Sequence, residues 1–154
     1  MKINQNEFNA FCVDCQNNRS THGNITFGTF VCAECAVLHQ QDYHFFQSYI
    51  KSLDEVWDPY QLLIVEQGGN KPFYEFMRDY GREREAISQK YRSDAAWYYR
   101  KVLHFRAKGI EFTERAPPKN AAEAAERAAK DTASALNKGF DKTTETLKKF
   151  DEQY

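Results

Sequence analysis

The sequence predicts an α+β fold: a small β-sheet surrounded by helices, followed by a C-terminal helical extension. Three observations point there. All four cysteines stand as Cys12-x2-Cys15-x16-Cys32-x2-Cys35. The aromatic residues, twelve Phe, nine Tyr and two Trp, lie almost wholly before residue 113. Beyond Pro117-Pro118 the chain turns Ala-rich and charged.

The cysteine spacing is the strongest of the three. Two CxxC knuckles at this separation have the pattern of a zinc ribbon. Each knuckle presents two thiolates to one Zn²⁺, which takes four soft ligands in a tetrahedron. Cys12, Cys15, Cys32 and Cys35 are therefore the candidate ligands of one ion. No cysteine is left over and no ligand position stays open, which describes a structural rather than a catalytic site. The bland alternative is two disulfides or four unconnected thiols, and neither calls for this spacing. Metal-binding thiols suit an intracellular reducing compartment, the cytosol or an organelle matrix such as the mitochondrial one.

The elements follow in chain order. Residues 24 to 31, Asn-Ile-Thr-Phe-Gly-Thr-Phe-Val, are β-rich around one glycine and predict a strand or hairpin entering the second knuckle. From Cys35 through Ala36, Val37, Leu38 and His39 the pattern is helical. Residues 45 to 50 read as a strand-like or irregular piece. Asp58-Pro59 opens a helix through Leu62, Leu63 and Val65 that stops at Gly68-Gly69. Pro72 opens another through Phe73, Phe76 and Met77. After Gly81 a charged, aromatic stretch with Ile87, Tyr91, Trp97, Tyr98, Val102 and Phe105 predicts one or two more helices. Pro117-Pro118 divides a domain of residues 1 to 116 from a tail of 117 to 154. Ala, Glu, Lys and Arg favour helix in that tail. Leu136, Phe140, Leu147 and Phe150 fall on one face of it. Such a tail is a solvated helix, or an arm that packs on a partner or lies on a membrane surface.

Charge and hydropathy exclude other classes. A net charge of −1 argues against nucleic-acid binding through bulk charge. The mixed signs from Arg78 to Arg92, Lys90 among them, predict a solvated helix face rather than a nucleic-acid stripe. No apolar run reaches the ~18 residues of a membrane span, and Met1 to Phe11 lacks the basic and apolar regions of a secretory signal. No Gly-rich phosphate loop, Ser-His-Asp set or paired-carboxylate motif is present. The aromatic share, 15%, exceeds what one small core hides and suggests a protein-facing patch. Trp57, Trp97, Phe73, Phe76, Tyr91 and Tyr98 are expected in core or interface. His39 is read as a residue that hydrogen-bonds a neighbour or a ligand sulfur rather than as a ligand itself. His22 and His44 read as surface or loop residues, and His104 as half-buried on a helix.

Over about residues 8 to 105 the chain resembles the zinc-finger domain of the Arf GTPase-activating (ArfGAP) family. The cysteine spacing matches. Gly28 stands four residues before the third cysteine, as in the family. Ala36-Val37-Leu38-His39-Gln40 stands where the family has Ser-Gly-Ile-His-Arg. Trp57 and Gly69-Asn70 follow in gap-free register, and Tyr74-Glu75 after a short deletion. Ile87-Ser88-Gln89-Lys90-Tyr91 matches the family's Ile-x-x-Lys-Tyr.

The departures gather in the family's GTPase-facing neighbourhood. Gln40 occupies the position of the catalytic arginine. An arginine supplied in trans neutralises charge on the transferring phosphoryl group and is worth about 10³–10⁵ in rate. Gln carries no charge to do this. His22 replaces a family Trp, Ser20 a Pro, and Asp42-Tyr43 a Leu-Gly. Arg19, in the first knuckle's loop, gives no reason to expect a substitute.

The resemblance with these departures implies a non-catalytic domain, with no catalytic residue and one structural Zn²⁺, acting as a structural or interaction subunit of a larger assembly. The alternative is an active GTPase-activating protein for an Arf-family small GTPase. A third reading, compatible with either, has residues 133 to 150 touching a membrane peripherally, through a face with few large apolar residues. Expected partners are other protein subunits and an Arf-family GTPase, with no nucleic acid.

Overall fold

The computed structural model describes residues 6–41 and 48–151, without the side chains of 143, 144 and 146–151. The chain divides into two compact units, Met1–Pro117 and Pro118–Tyr154.

In the first unit a 3-10 turn, Glu7–Ala10, leads into the first knuckle. Three antiparallel strands follow, with β1 (His22–Asn24) between β2 (Thr29–Val31) and β3 (Ile50–Ser52). The β-rich stretch between the knuckles is thus a hairpin. Its bend is at Gly28, with φ +65, and a Cβ there would meet Leu103 Cδ2 at 2.6 Å. The turn needs a left-handed residue and the packing needs one without a side chain.

Helices surround this sheet: α1 (Ala33–Gln41), α2 (Pro59–Gln67), α3 (Asn70–Asp79), α4 (Ile87–Lys90) and α5 (Asp94–Ala107). Helix α2 has the start and stop its sequence announces. Asp58 accepts from Gln61 N at 2.9 Å, Gln61 Oε1 accepts from Asp58 N at 3.1 Å, and Gly68 ends it. Helix α3 begins at Asn70, two residues before the proline expected to open it. Ser93 caps α5 by accepting from Ala96 N at 3.2 Å.

The two faces of the hairpin feed two apolar clusters. Phe27 and Val31 pack with Phe73, Met77, Tyr91 and Ala96 on the cysteine side. Ile25 and Phe30 pack with Trp57, Ile64, Val65 and Leu103 on the other. Neighbouring Phe30 and Val31 of β2 point to opposite faces, and the turn that joins the strands sends Ile25 one way and Phe27 the other, so one short hairpin serves both.

The second unit contains one helix, α6 (Ala121–Asp151). Glu123 pairs with Arg127 and Glu126 with Lys130, each four residues on. Leu136 and Phe140 are 69% and 79% exposed. Leu147 and Phe150 lie outside the described side chains. No helix among the described residues is long and apolar enough to cross a membrane.

Candidate metal centre

The backbone brings the two knuckles together. In the first, Cys12 N donates to Asn18 O and Gln16 N to Cys12 O, both at 2.9 Å. Val13 N donates to Phe30 O at 3.0 Å and ties this loop to β2. In the second, Cys35 N donates to Cys32 Sγ at 3.5 Å, and Ala36 N to Cys32 O at 2.9 Å. Helix α1 therefore grows directly out of the knuckle.

All four Sγ atoms lie within 4.8 Å of one another. Cys15 and Cys32 Sγ are 3.8 Å apart. Four sulfurs ~2.3 Å from a central ion stand about 3.8 Å from each other, so the cluster has the size of a tetrahedral zinc site. All four are free thiols here, none joined in a disulfide. The four cysteines are positioned to bind one metal ion, through sulfur alone.

The thiols alone titrate in conflict. The hydrogen bond from Cys35 draws the Cys12 thiol down to about 5. Burial pushes Cys32 up to about 11, and the same Cys12–Cys35 hydrogen bond, with burial, pushes Cys35 further up. One thiolate forms at the expense of its neighbours. A bound dication lets all four ionise. Cys12, Cys32 and Cys35 are buried, while Cys15 is exposed.

Behind the cysteines lies a buried polar network that the sequence does not announce. Its hub is Asp14, whose side chain is 3% exposed. His39 Nε2 donates to its Oδ2 at 2.9 Å. Lys90 Nζ and Tyr91 Oη donate to its Oδ1 at 3.0 and 2.8 Å. His39 Nδ1 meets Ser48 Oγ at 2.9 Å, and Asn24 Nδ2 donates to that hydroxyl at 3.3 Å. Burial raises the Asp14 carboxyl, but the His39 hydrogen bond and the Lys90 charge outweigh it and hold it at about 2. Burial and the Asp14 carboxylate push Tyr91 well above its ordinary value. His39 thus acts beside the knuckles rather than within them, as its sequence position suggested.

Lys90 departs from the sequence reading. The charge pattern places it on a solvated face, yet it is 1% exposed and paired with Asp14. A charge run carries no sign of which member turns inward. The signal available was one acidic residue inside the first CxxC, between Cys12 and Cys15.

Other motif residues also have physical work. Asn70 Oδ1 accepts from Phe30 N at 2.7 Å, while its Nδ2 donates to Phe11 O at 2.7 Å and lies near Phe8 O and Phe30 O. Its backbone N donates to Asn9 Oδ1 at 2.9 Å, and Gly69 N donates to Gly28 O at 2.7 Å. Trp57 packs the edge of its ring against Gly23, where a Cβ would stand 2.2 Å from Cη2. Its indole N donates to Ser52 O at 2.9 Å.

Gln40 lies on α1, directly after buried His39, and is exposed. Val37 and Leu38 on the same helix are about half exposed. Arg19 lies over the Phe11 ring, 5.7 Å from its centroid. Asp42, Tyr43 and His44 fall outside the described residues.

The remaining expectations divide. Trp57, Phe73 and Tyr91 are buried, and Phe76 and Tyr98 are half-buried. Trp97 is exposed, with the Arg100 guanidinium 3.8 Å over its ring. His22 is a half-buried strand residue rather than a loop one, 2.8 Å from Thr21 Oγ1. His104, half-buried on α5, lies 2.9 Å from Thr26 O and 3.0 Å from Tyr60 Oη. Phe8 and Phe11 are exposed beside a cleft of about 650 Å³ that also meets Lys71, Tyr74 and Arg78.

A family model described as "Putative GTPase activating protein for Arf" matches residues 1–108. ADP-ribosylation factor GTPase-activating protein 3 of Bos taurus is 33% identical over 98 residues, 62% of this chain and 19% of that protein. ADP-ribosylation factor GTPase-activating protein GCS1 of Saccharomyces cerevisiae is 29% identical over 110 residues, 70% of this chain and 31% of that protein. The chain thus spans a fifth to a third of the length of these relatives. A crystal structure from Cryptosporidium parvum, named as a "putative GTPase activating protein for ADP ribosylation factor", matches with a TM-score of 0.62 at 21% identity. The match covers 68% of this chain and 85% of that one. The ArfGap domain of HIV-1 Rev binding protein matches with a TM-score of 0.50 at 21% identity, over 70% and 87%. At that identity the likeness shows the fold.

Proposed function

The chain belongs to the ArfGAP family, and from that premise we propose that this member keeps the zinc-supported scaffold and has lost the reaction. Cys12, Cys15, Cys32 and Cys35 hold one structural Zn²⁺, and the domain serves as an interaction or structural subunit of a larger protein assembly. The observation that carries this reading is Gln40, exposed on α1 at the position of the family's arginine. The scaffold positions point the same way. His39, Lys90, Tyr91, Trp57 and Asn70 all make buried or half-buried contacts of the kind a fold requires.

An arginine supplied in trans stabilises the charge on the transferring phosphoryl group and speeds GTP hydrolysis about 10³–10⁵-fold. The Gln40 amide offers two weak donors and no charge. Arg19 already rests on Phe11. An Arf-family GTPase remains a binding partner on this reading, held without being switched off.

The relatives' printed activity supports a second reading, an active GTPase-activating protein. Hydrolysis by a GTP-loaded Arf-family GTPase, measured with wild type and with Gln40→Arg, separates the two. The expected result is no acceleration by wild type and a gain by Gln40→Arg. Wild type as fast as Gln40→Arg, well above the intrinsic rate, overturns the non-catalytic reading. The exposure of Leu136 and Phe140 supports weak peripheral contact of α6 with a membrane. Absence of co-flotation with liposomes at low salt removes it.

A further inference from the structure

The four thiols of the metal centre are not equivalent, and their inequality crosses the knuckles. Cys12 and Cys35 are buried and hydrogen-bonded to each other. Cys15 is the exposed member of the cluster. Its Sγ lies 3.8 Å from Cys32 Sγ, on the other knuckle. Cys32 also takes the Asn18 amide at 3.8 Å, and the same amide donates to Glu34 at 3.1 Å. Oxidants therefore meet the cluster at Cys15, and the sulfur it faces belongs to the opposite knuckle.

We propose that Cys15 and Cys32 form a peroxide-sensitive pair, whose oxidation joins the two knuckles covalently and releases the bound zinc. The inference rests on the reading of the four cysteines as zinc ligands. In the first step the Cys15 thiolate attacks hydrogen peroxide. An S–O bond forms, the O–O bond breaks, hydroxide leaves and Cys15 becomes a sulfenic acid. In the second, the Cys32 thiolate attacks the Cys15 sulfur and displaces a second hydroxide. The sulfurs give up one electron pair, the peroxide is reduced, and each hydroxide takes up a proton from the buffer, or the one its thiol released on ionising, to leave as water. Only Cys12 and Cys35 then remain as ligands, too few for a closed site.

The linkage is distinctive. Sequence proximity favours a disulfide within a CxxC knuckle, across a very short loop. A Cys15–Cys32 bond closes a longer loop and keeps the knuckles in register. The oxidised chain would then retain its hairpin while losing metal, and reduction with zinc present would restore the site.

The test uses the full chain. Metal analysis of the reduced protein comes first, and fewer than about 0.5 zinc per chain would overturn the ligand assignment itself. With zinc present, one to five equivalents of hydrogen peroxide are added. Zinc release is followed by a chromogenic chelator and disulfides are mapped by mass spectrometry without reduction. The expected outcome is release in step with a Cys15–Cys32 linked peptide, reversed by a thiol reductant. A Cys12–Cys15 or Cys32–Cys35 link, sulfinic acid in place of a disulfide, or no reaction overturns the pairing while leaving the ligand assignment intact. Cys15→His keeps a zinc-ligating side chain. It should still bind zinc and release it at least tenfold more slowly under peroxide; release as fast as wild type overturns the proposal.

Discussion

The two units handle charge in opposite ways. In the first, Asp14, His39 and Lys90 are drawn inside, and each finds a partner supplied by a distant part of the chain. In the second, α6 pairs its charges locally, as half-buried Glu123 with Arg127 and exposed Glu126 with Lys130. Exposed pairs of that spacing contribute a few tenths of a kcal/mol each. A buried charge left without its partner costs about 3–5 kcal/mol. The first unit is therefore specified by long-range contacts that fail together. The second is specified by propensity, residue by residue.

Removing zinc should separate the two most sharply. Chelation should unfold at least residues 8 to 40, because structural zinc contributes on the order of 10 kcal/mol to such modules. Helical signal from α6 should survive. Circular dichroism and a thermal scan of the chelated chain check this, and unchanged stability would contradict it.

Breaking the buried network comes next. Lys90→Met leaves the Asp14 carboxylate without its cation, and Asp14→Ala leaves Lys90 and His39 without an acceptor. Each should lower stability by about 3–5 kcal/mol, read from the urea midpoint. The double variant should lose less than the sum, since each change removes the group the other strands. Additive losses would mean that the contacts do not act as a unit.

A smaller effect tests packing alone. Gly23→Ala drives a methyl into Trp57 and should cost about 1–3 kcal/mol, with a change in tryptophan fluorescence. The smallest change belongs to α6. Gly139 lies within that helix with open space where a Cβ would be. Gly139→Ala should strengthen the helix locally by about 1 kcal/mol. It should raise ellipticity at 222 nm and leave the melting of the first unit unmoved. A shift in that melting would show that the units are coupled.

What the sequence disclosed follows the same division. The metal cluster was legible because CxxC spacing is local, and α2 because Asp58, Pro59 and Gly68 mark its ends. Trp57, Gly28 and Asn70 were legible as motif positions, but not their contacts. Asn70 N meets Asn9 Oδ1 across 61 residues. The charge pattern misplaces Lys90 for the same reason, since its acceptor lies 76 residues away. The spacing left Trp97 between core and interface because it does not say which aromatic faces solvent; Trp97 is exposed, with Arg100 over its ring.

The reach of Asp14 also has a consequence in time. Its acceptor oxygens are completed only by Lys90 and Tyr91, 76 and 77 residues further along the chain. At ordinary synthesis rates, those residues are joined about 4 to 15 s after the first knuckle. During most of that interval the nascent chain has both knuckles but neither Lys90 nor Tyr91 to meet the Asp14 carboxylate. The buried network is therefore the last part of the metal centre's surroundings that the chain can complete.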